Sequence, residues 1–235
     1  DNASSWQITN TSGSQLNGVA FGGSTFDVVG GSGNTYFSTN GSSWTNRAAP
    51  HSGSPNNYQR SLYGVSFGNS TFVAVGDNGK IVRSTNNGSS WSNVTTGTSP
   101  YTYGNNNLRG VTFGNNTFVG VGYTGKIIRS TNDGSSWDNV TAVNSNNLYG
   151  VTFGNGTFVA VGSSGTIVKS TDNGSSWSSS TSGTSNILNG VAFGNNTFMA
   201  VGDSGRIVKS TDNGSSWDNS TSGTSNILNG VAFGD

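Results

Sequence analysis

Apolar residues in this chain fall in short alternating runs, and no segment sustains a 3.6-residue apolar period. The clearest copy of the pattern spans Leu188 to Thr221 and contains four runs. Leu188–Phe193 is the first. Thr197–Val201, which alternates small and large apolar residues, is the second. Arg206–Ser210 is the third, with Ile207 and the aliphatic part of Lys209 on one face. Ser216–Thr221, led by Trp217, is the fourth. Gly194-Asn195-Asn196, Gly202-Asp203-Ser204-Gly205 and Asp212-Asn213-Gly214 separate them. Short runs punctuated this densely by Gly and Asn predict antiparallel hairpins.

The pattern recurs along the whole chain. Gly-Val-x-Phe-Gly begins at Gly18, Gly64, Gly110, Gly150, Gly190 and Gly230, in steps of 46, 46, 40, 40 and 40 residues. Every tryptophan closes a second phrase, Gly/Ala-Ser-Ser-Trp, at Trp6, Trp44, Trp91, Trp137, Trp177 and Trp217. Repeated four-stranded units of this length predict an all-β propeller, since one such sheet cannot bury both its faces alone. A parallel β-helix is the competing architecture, but its turns are shorter than these units. The expected fold is five four-stranded antiparallel blades in one domain, residues 1–235. The units run approximately over 17–61, 62–107, 108–147, 148–187 and 188–227, with flanking strands 4–11 and 228–234. Six blades with one incomplete is the alternative. Five complete units leave the flanking pair redundant, and a surplus strand edge is a template for association.

The link between third and fourth runs reads Ser210-Thr211-Asp212-Asn213-Gly214-Ser215-Ser216-Trp217. It resembles the Asp-box, Ser-x-Asp-x-Gly-x-x-Trp, of the bacterial-neuraminidase-repeat propellers. Ser170–Trp177 matches fully, Ser84–Trp91 and Ser130–Trp137 carry Asn86 and Asn132 for the Asp, and Ser38–Trp44 is one residue short. With Gly-Val-x-Phe and x-Val-Gly-x-x-Gly, the chain is also similar to photosystem II assembly-factor propellers. The resemblance implies a structural motif. An Asp or Asn oxygen would bond backbone two residues on, Gly would supply positive φ, and Trp would wedge between blades. Asp172 and Asp212 offer one acid per turn, too little charge for calcium.

Some relatives with this motif are sialidases or other glycosidases, which the resemblance equips with an arginine cluster, an acid and a Tyr–Glu pair. This chain has no Glu. Glycoside hydrolysis needs two carboxyl groups at a set separation. Asp27, Asp77, Asp133, Asp138, Asp203 and Asp218 read as turn or strand-start residues, and no pair stands out. Arg83, Arg129 and Arg206, with Lys169 and Lys209, read as a solvated third-strand face. No enzyme, cofactor or metal is therefore expected. Formal net charge is zero and 9% of residues are charged, which gives no field for nucleic acid, and no apolar run is long enough for a membrane helix. There is no cysteine, hence no disulfide.

Function is expected in binding. The two links that break the forty-residue period carry His51, Tyr58, Arg60, Tyr101 and Tyr103, residue types able to stack on and bond to a sugar. The sequon asparagines Asn115, Asn155 and Asn195 recur at one turn and are candidate glycosylation sites. The leading expectation is a non-catalytic extracellular or surface protein that self-associates head to tail through its terminal strands, building a fibre. A lectin that takes glycans on the long links is the alternative.

Overall fold

The computed structural model describes residues 15–50, 61–94 and 106–234. It forms five separate four-stranded antiparallel sheets, each in sequential strand order. Blade 1 holds β1 (Leu16–Gly22), β2 (Thr25–Gly30), β3 (Asn34–Ser38) and β4 (Thr45–Ala48). Blade 2 holds β5 (Leu62–Gly68), β6 (Thr71–Gly76), β7 (Ile81–Ser84) and β8 (Ser92–Asn93). Blade 3 holds β9 (Leu108–Gly114), β10 (Thr117–Gly122), β11 (Ile127–Ser130) and β12 (Asp138–Val140). Blade 4 holds β13 (Leu148–Gly154), β14 (Thr157–Gly162), β15 (Ile167–Ser170) and β16 (Ser178–Ser180). Blade 5 holds β17 (Leu188–Gly194), β18 (Thr197–Gly202), β19 (Ile207–Ser210) and β20 (Asp218–Ser220). This is a five-bladed β-propeller. Hairpins so connected cannot form a parallel β-helix, which removes that competitor.

The β1–β2 hairpin and its four equivalents share one register, with Phe opposite Phe at Phe21–Phe26, Phe67–Phe72, Phe113–Phe118, Phe153–Phe158 and Phe193–Phe198. Within each pair the rings lie 4.6 or 4.7 Å apart at tilted angles, the favoured packing of aromatic pairs. Consecutive first strands pack on one another: β1 on β5, β5 on β9, β9 on β13 and β13 on β17. Their glycines make this approach possible. A Cβ on Gly22, Gly68, Gly114 or Gly154 would sit 2.0 Å from the ring of Phe67, Phe113, Phe153 or Phe193 in the next blade. The Phe of each first strand thus fills the side-chain space of the glycine before it.

Four apolar cores result, one between each pair of neighbouring blades. Val73, Val75 and Ile81 of blade 2 meet Leu108, Phe118, Ile128 and Trp137 of blade 3, and the other cores repeat this division. Each blade has one face turned to its predecessor, carrying the Leu, Phe and Trp, and one turned to its successor, carrying the Val and Ile.

Elements end slightly inside the predicted runs. Arg206 precedes β19, because its backbone N–H closes a turn on the Asp203 carbonyl at 3.1 Å. It aligns with Lys80, Lys126 and Thr166, so it does not share the third-strand face with Arg83 and Arg129. That face is not simply solvated either: the Nε–H groups of Arg83 and Arg129 donate to the Asp133 and Asn173 carbonyls of the following blade at 2.5 and 2.6 Å. Residues 228–234 form no sheet pair, so the strand expected there is extended chain laid against β17. A Cβ on Gly194 would lie 2.3 Å from the Phe233 ring, the same contact that links the blades. The flanking segment 4–11 lies outside the described residues.

Candidate functional site

The Ser-x-Asp/Asn-x-Gly-x-x-Trp turns are held by their own side chains. Asp172 Oδ1 accepts from the Ser176 backbone N–H at 3.0 Å, and Asp172 Oδ2 accepts from the Ser176 hydroxyl at 2.6 Å. Asp212 does the same with Ser216, and Asn86 and Asn132 accept the equivalent N–H from Ser90 and Ser136 at 3.0 Å. The bond spans four residues, not the two expected. Only in blade 1, where the turn is one residue shorter, does Asn40 bond two and three residues on, to Ser42 and Ser43. The Ser176 hydroxyl, then its backbone N–H and the Ser170 hydroxyl, hold the Asp172 carboxyl down at about 2, and the corresponding serines hold Asp212 well below the carboxylate range. The indole N–H groups of Trp137, Trp177 and Trp217 donate to the Gly134, Gly174 and Gly214 carbonyls at 3.1, 3.1 and 3.2 Å. Trp137 and Trp217 are buried, and their rings lie 6.4 and 6.5 Å from Phe118 and Phe198.

Asp27 departs from the pattern. It lies in mid-strand, not in a turn or at a strand start, and it is fully buried between blades 1 and 2 at the place where the sister blades carry Val73, Val119, Val159 and Met199. Neither carboxyl oxygen has a hydrogen-bond partner, and burial pushes its pKa up to about 7. A Cβ on Gly88 would sit 2.3 Å from both oxygens. In the same interface Trp91 is, among the described residues, the one buried tryptophan whose indole N–H has no partner.

The ends of the blade series leave matching surfaces bare. Leu62, Leu108, Leu148 and Leu188 are essentially inaccessible, but their blade 1 equivalent Leu16 is 44% exposed. On the same face Val19 and Phe21 are 64% and 60% exposed. Leu16, Val19, Phe26, Val28 and Trp44 line an apolar groove of about 770 Å³. Five Phe–Gly contacts join successive first strands, from Phe67 on Gly22 to Phe233 on Gly194. Among the described residues Phe21 covers no glycine, and the site of a Cβ on Gly234 or Gly230 meets nothing within 4 Å. The face of blade 1 that looks away from blade 2 and the outer side of residues 228–234, which cover blade 5, are therefore, among the described residues, two unmet halves of one contact.

His51, Tyr58, Arg60, Tyr101 and Tyr103 lie outside the described residues, so the long-link site is not brought together here. Asn115, Asn155 and Asn195 sit at the first hairpin turn, left-handed with φ of 45°, 47° and 47°, and are exposed. The Asn115 and Asn155 amides donate to Asn173 and Asn213 Oδ1 of the next blade at 2.6 and 2.8 Å, whereas Asn195 has no following blade to reach. Individual residues of the blade 1 face were not singled out from sequence, because they are identical in kind to buried ones elsewhere.

No family model matches the chain, and no curated protein matches it. Among solved structures, YCF48 from Cyanidioschyzon merolae superposes with a TM-score of 0.73 at 20% identity, covering 97% of this chain and 79% of that one. YCF48 bound to D1 peptide superposes with a TM-score of 0.67 at 19% identity, covering 89% and 67%. The GH74 enzyme of Niastella koreensis gives 0.60 at 19% identity, covering 87% of this chain but 30% of the enzyme. These likenesses, with the five antiparallel sheets, make the chain a β-propeller.

Proposed function

We propose that this propeller is a non-catalytic binding protein that assembles with further copies of itself, head to tail, through the bare faces at the two ends of its blade series. One observation carries the reading. The Phe–Gly contact is made five times inside the chain, and its two unmatched halves, Phe21 and Gly234, lie on opposite end faces. The partner that best fits each face is thus the other face, as presented by a second copy. Burying an exposed Phe or Val contributes roughly 1.5–3 kcal/mol each, so Phe21, Val19 and Leu16 together supply a useful driving force. A head-to-tail contact between unlike faces extends as a fibre wherever its rotation does not close a ring. YCF48, a structural neighbour, binds D1 peptide, and that complex supports a protein-binding use of this architecture. Placement outside the cell is part of the proposal and rests on the exposed sequon asparagines.

Light scattering over a hundredfold concentration range tests the assembly. Larger species should accumulate with concentration. Gly234→Ala is the discriminating variant: its Cβ would meet nothing within 4 Å among the described residues, so folding should be unchanged, but it would occupy the space required by the partner's Phe21. Loss of the larger species in Gly234→Ala and in Phe21→Ser supports the reading. A strict monomer at every concentration overturns it.

A further inference from the structure

The repeats are near copies, yet two positions in them vary freely, and the fold sets these side by side. The first is the residue before Gly-Val-x-Phe-Gly: Asn17, Tyr63, Arg109, Tyr149, Asn189 and Asn229. One from each first-strand copy, they ring a single cavity of about 310 Å³ where the first strands converge. The second follows the second strand fourteen residues later, at Gly31, Asp77, Tyr123, Ser163 and Asp203. The two positions touch within a blade. Tyr63 Oη donates to Asp77 Oδ1 at 2.8 Å, and Asn189 Nδ2 donates to Asp203 Oδ1 at 3.0 Å. Tyr149 Oη and Ser163 Oγ are 3.0 Å apart.

Arg109 is the cation of this ring. Its guanidinium lies 4.1 Å from the Tyr63 ring centre and 5.6 Å from that of Tyr123, and among the described residues it has no carboxylate partner. Stacking between two tyrosines holds the planar fork in place and, among the described residues, leaves its N–H donors open, an arrangement suited to bidentate capture of a carboxylate. Asp77 Oδ2 accepts from the Ser61 backbone N–H and Oδ1 from the Tyr63 hydroxyl, so this nearby carboxylate is held by neutral donors rather than by an ion pair with Arg109. Asparagine and tyrosine supply neutral hydrogen-bonding groups around the rest of the wall. A cavity near the small end of the ligand-pocket range holds one compact polar ring.

We propose that this axial mouth binds a sugar acid of hexuronate class, with its carboxylate on Arg109 and its hydroxyls on the Asn and Tyr ring. The site borders the end faces, since Asn17 lines both this cavity and the blade 1 groove and Asn229 belongs to residues 228–234, but Arg109 lies in blade 3, away from both.

Isothermal titration with glucuronate, glucose and a short peptide bearing a free C-terminus tests this on the intact chain and on Arg109→Gln and Arg109→Lys. Glucuronate should bind at least tenfold tighter than glucose. Arg109→Gln should lose that preference, and Arg109→Lys should keep part of it. The thermal unfolding of each variant, matched to that of the parent chain, separates lost binding from lost folding. Equal binding of glucuronate and glucose, no effect of Arg109→Gln, or tighter binding of the peptide than of glucuronate overturns the proposal.

Discussion

Asp27 sets how stability depends on pH. Among the described residues both its oxygens are buried without a partner, and Trp91 in the same interface lacks the Gly acceptor that the four other described tryptophans use. Three orphaned polar atoms at one interface are costly. Burial raises the folded pKa from 3.8 to about 7. The folded state therefore holds a proton that the unfolded chain has released, and stability falls as pH rises from about 4 to about 7, then levels off. The loss amounts to about 2–4 kcal/mol. Asp172 has the opposite sign: its stabilising contribution is full above 3.8 and is lost as pH falls towards about 2. The unfolding midpoint of Asp27→Val should exceed that of the parent at pH 7.5, with the gap narrowing towards pH 4. A gap that does not change with pH would show that Asp27 is not the titrating group.

At the scale of the strand, the repeating lock is Phe over Gly. Gly114→Ala would put a methyl 2.0 Å from Cγ of Phe153, between two blades that each have a core on both sides. Overpacking of this kind costs about 1–3 kcal/mol, measurable as a lower denaturant midpoint. Gly234→Ala, the same change at the bare end, should leave the midpoint of the isolated chain where it was. The turn asparagines show a similar end effect. Glycosylation of Asn115 or Asn155 would place a glycan on an amide nitrogen already held against the next blade, so occupancy by a glycosylating host should be highest at Asn195. Glycopeptide mass spectrometry reads this directly.

Across the whole molecule, stability is a series of blade–blade interfaces, as in other repeat proteins. Blades 2, 3 and 4 have a core on each face, blade 1 has one, and residues 228–234 have no sheet partner. Hydrogen exchange should be slowest in β10 and β14 and fastest in β1 and 228–234. If copies assemble end to end, raising the concentration should protect those last two segments selectively. Uniform protection at all concentrations would count against both the open ends and the assembly.

The repeat period, the four strands per unit, the hairpin turns and the tryptophan turn were legible in the chain because each is written in residues a few places apart. Gly-Val-x-Phe-Gly carries its strand wherever it occurs. What the pattern could not carry is which copies find a neighbour. Phe21 and Phe67 stand in the same phrase, yet Phe67 fills the space at Gly22 while Phe21 faces open space. Asp27 reads as an ordinary turn or strand-start acid until packing puts Gly88 against it, and nothing in the sequence marks Arg109 until five first strands and residues 228–234 bring the residue before each Gly-Val-x-Phe-Gly around one cavity. Local backbone preference and side-chain alternation fix the blade. Burial, charge state and the binding surfaces depend on contacts between blades about forty residues apart, and these exist only once the units have packed.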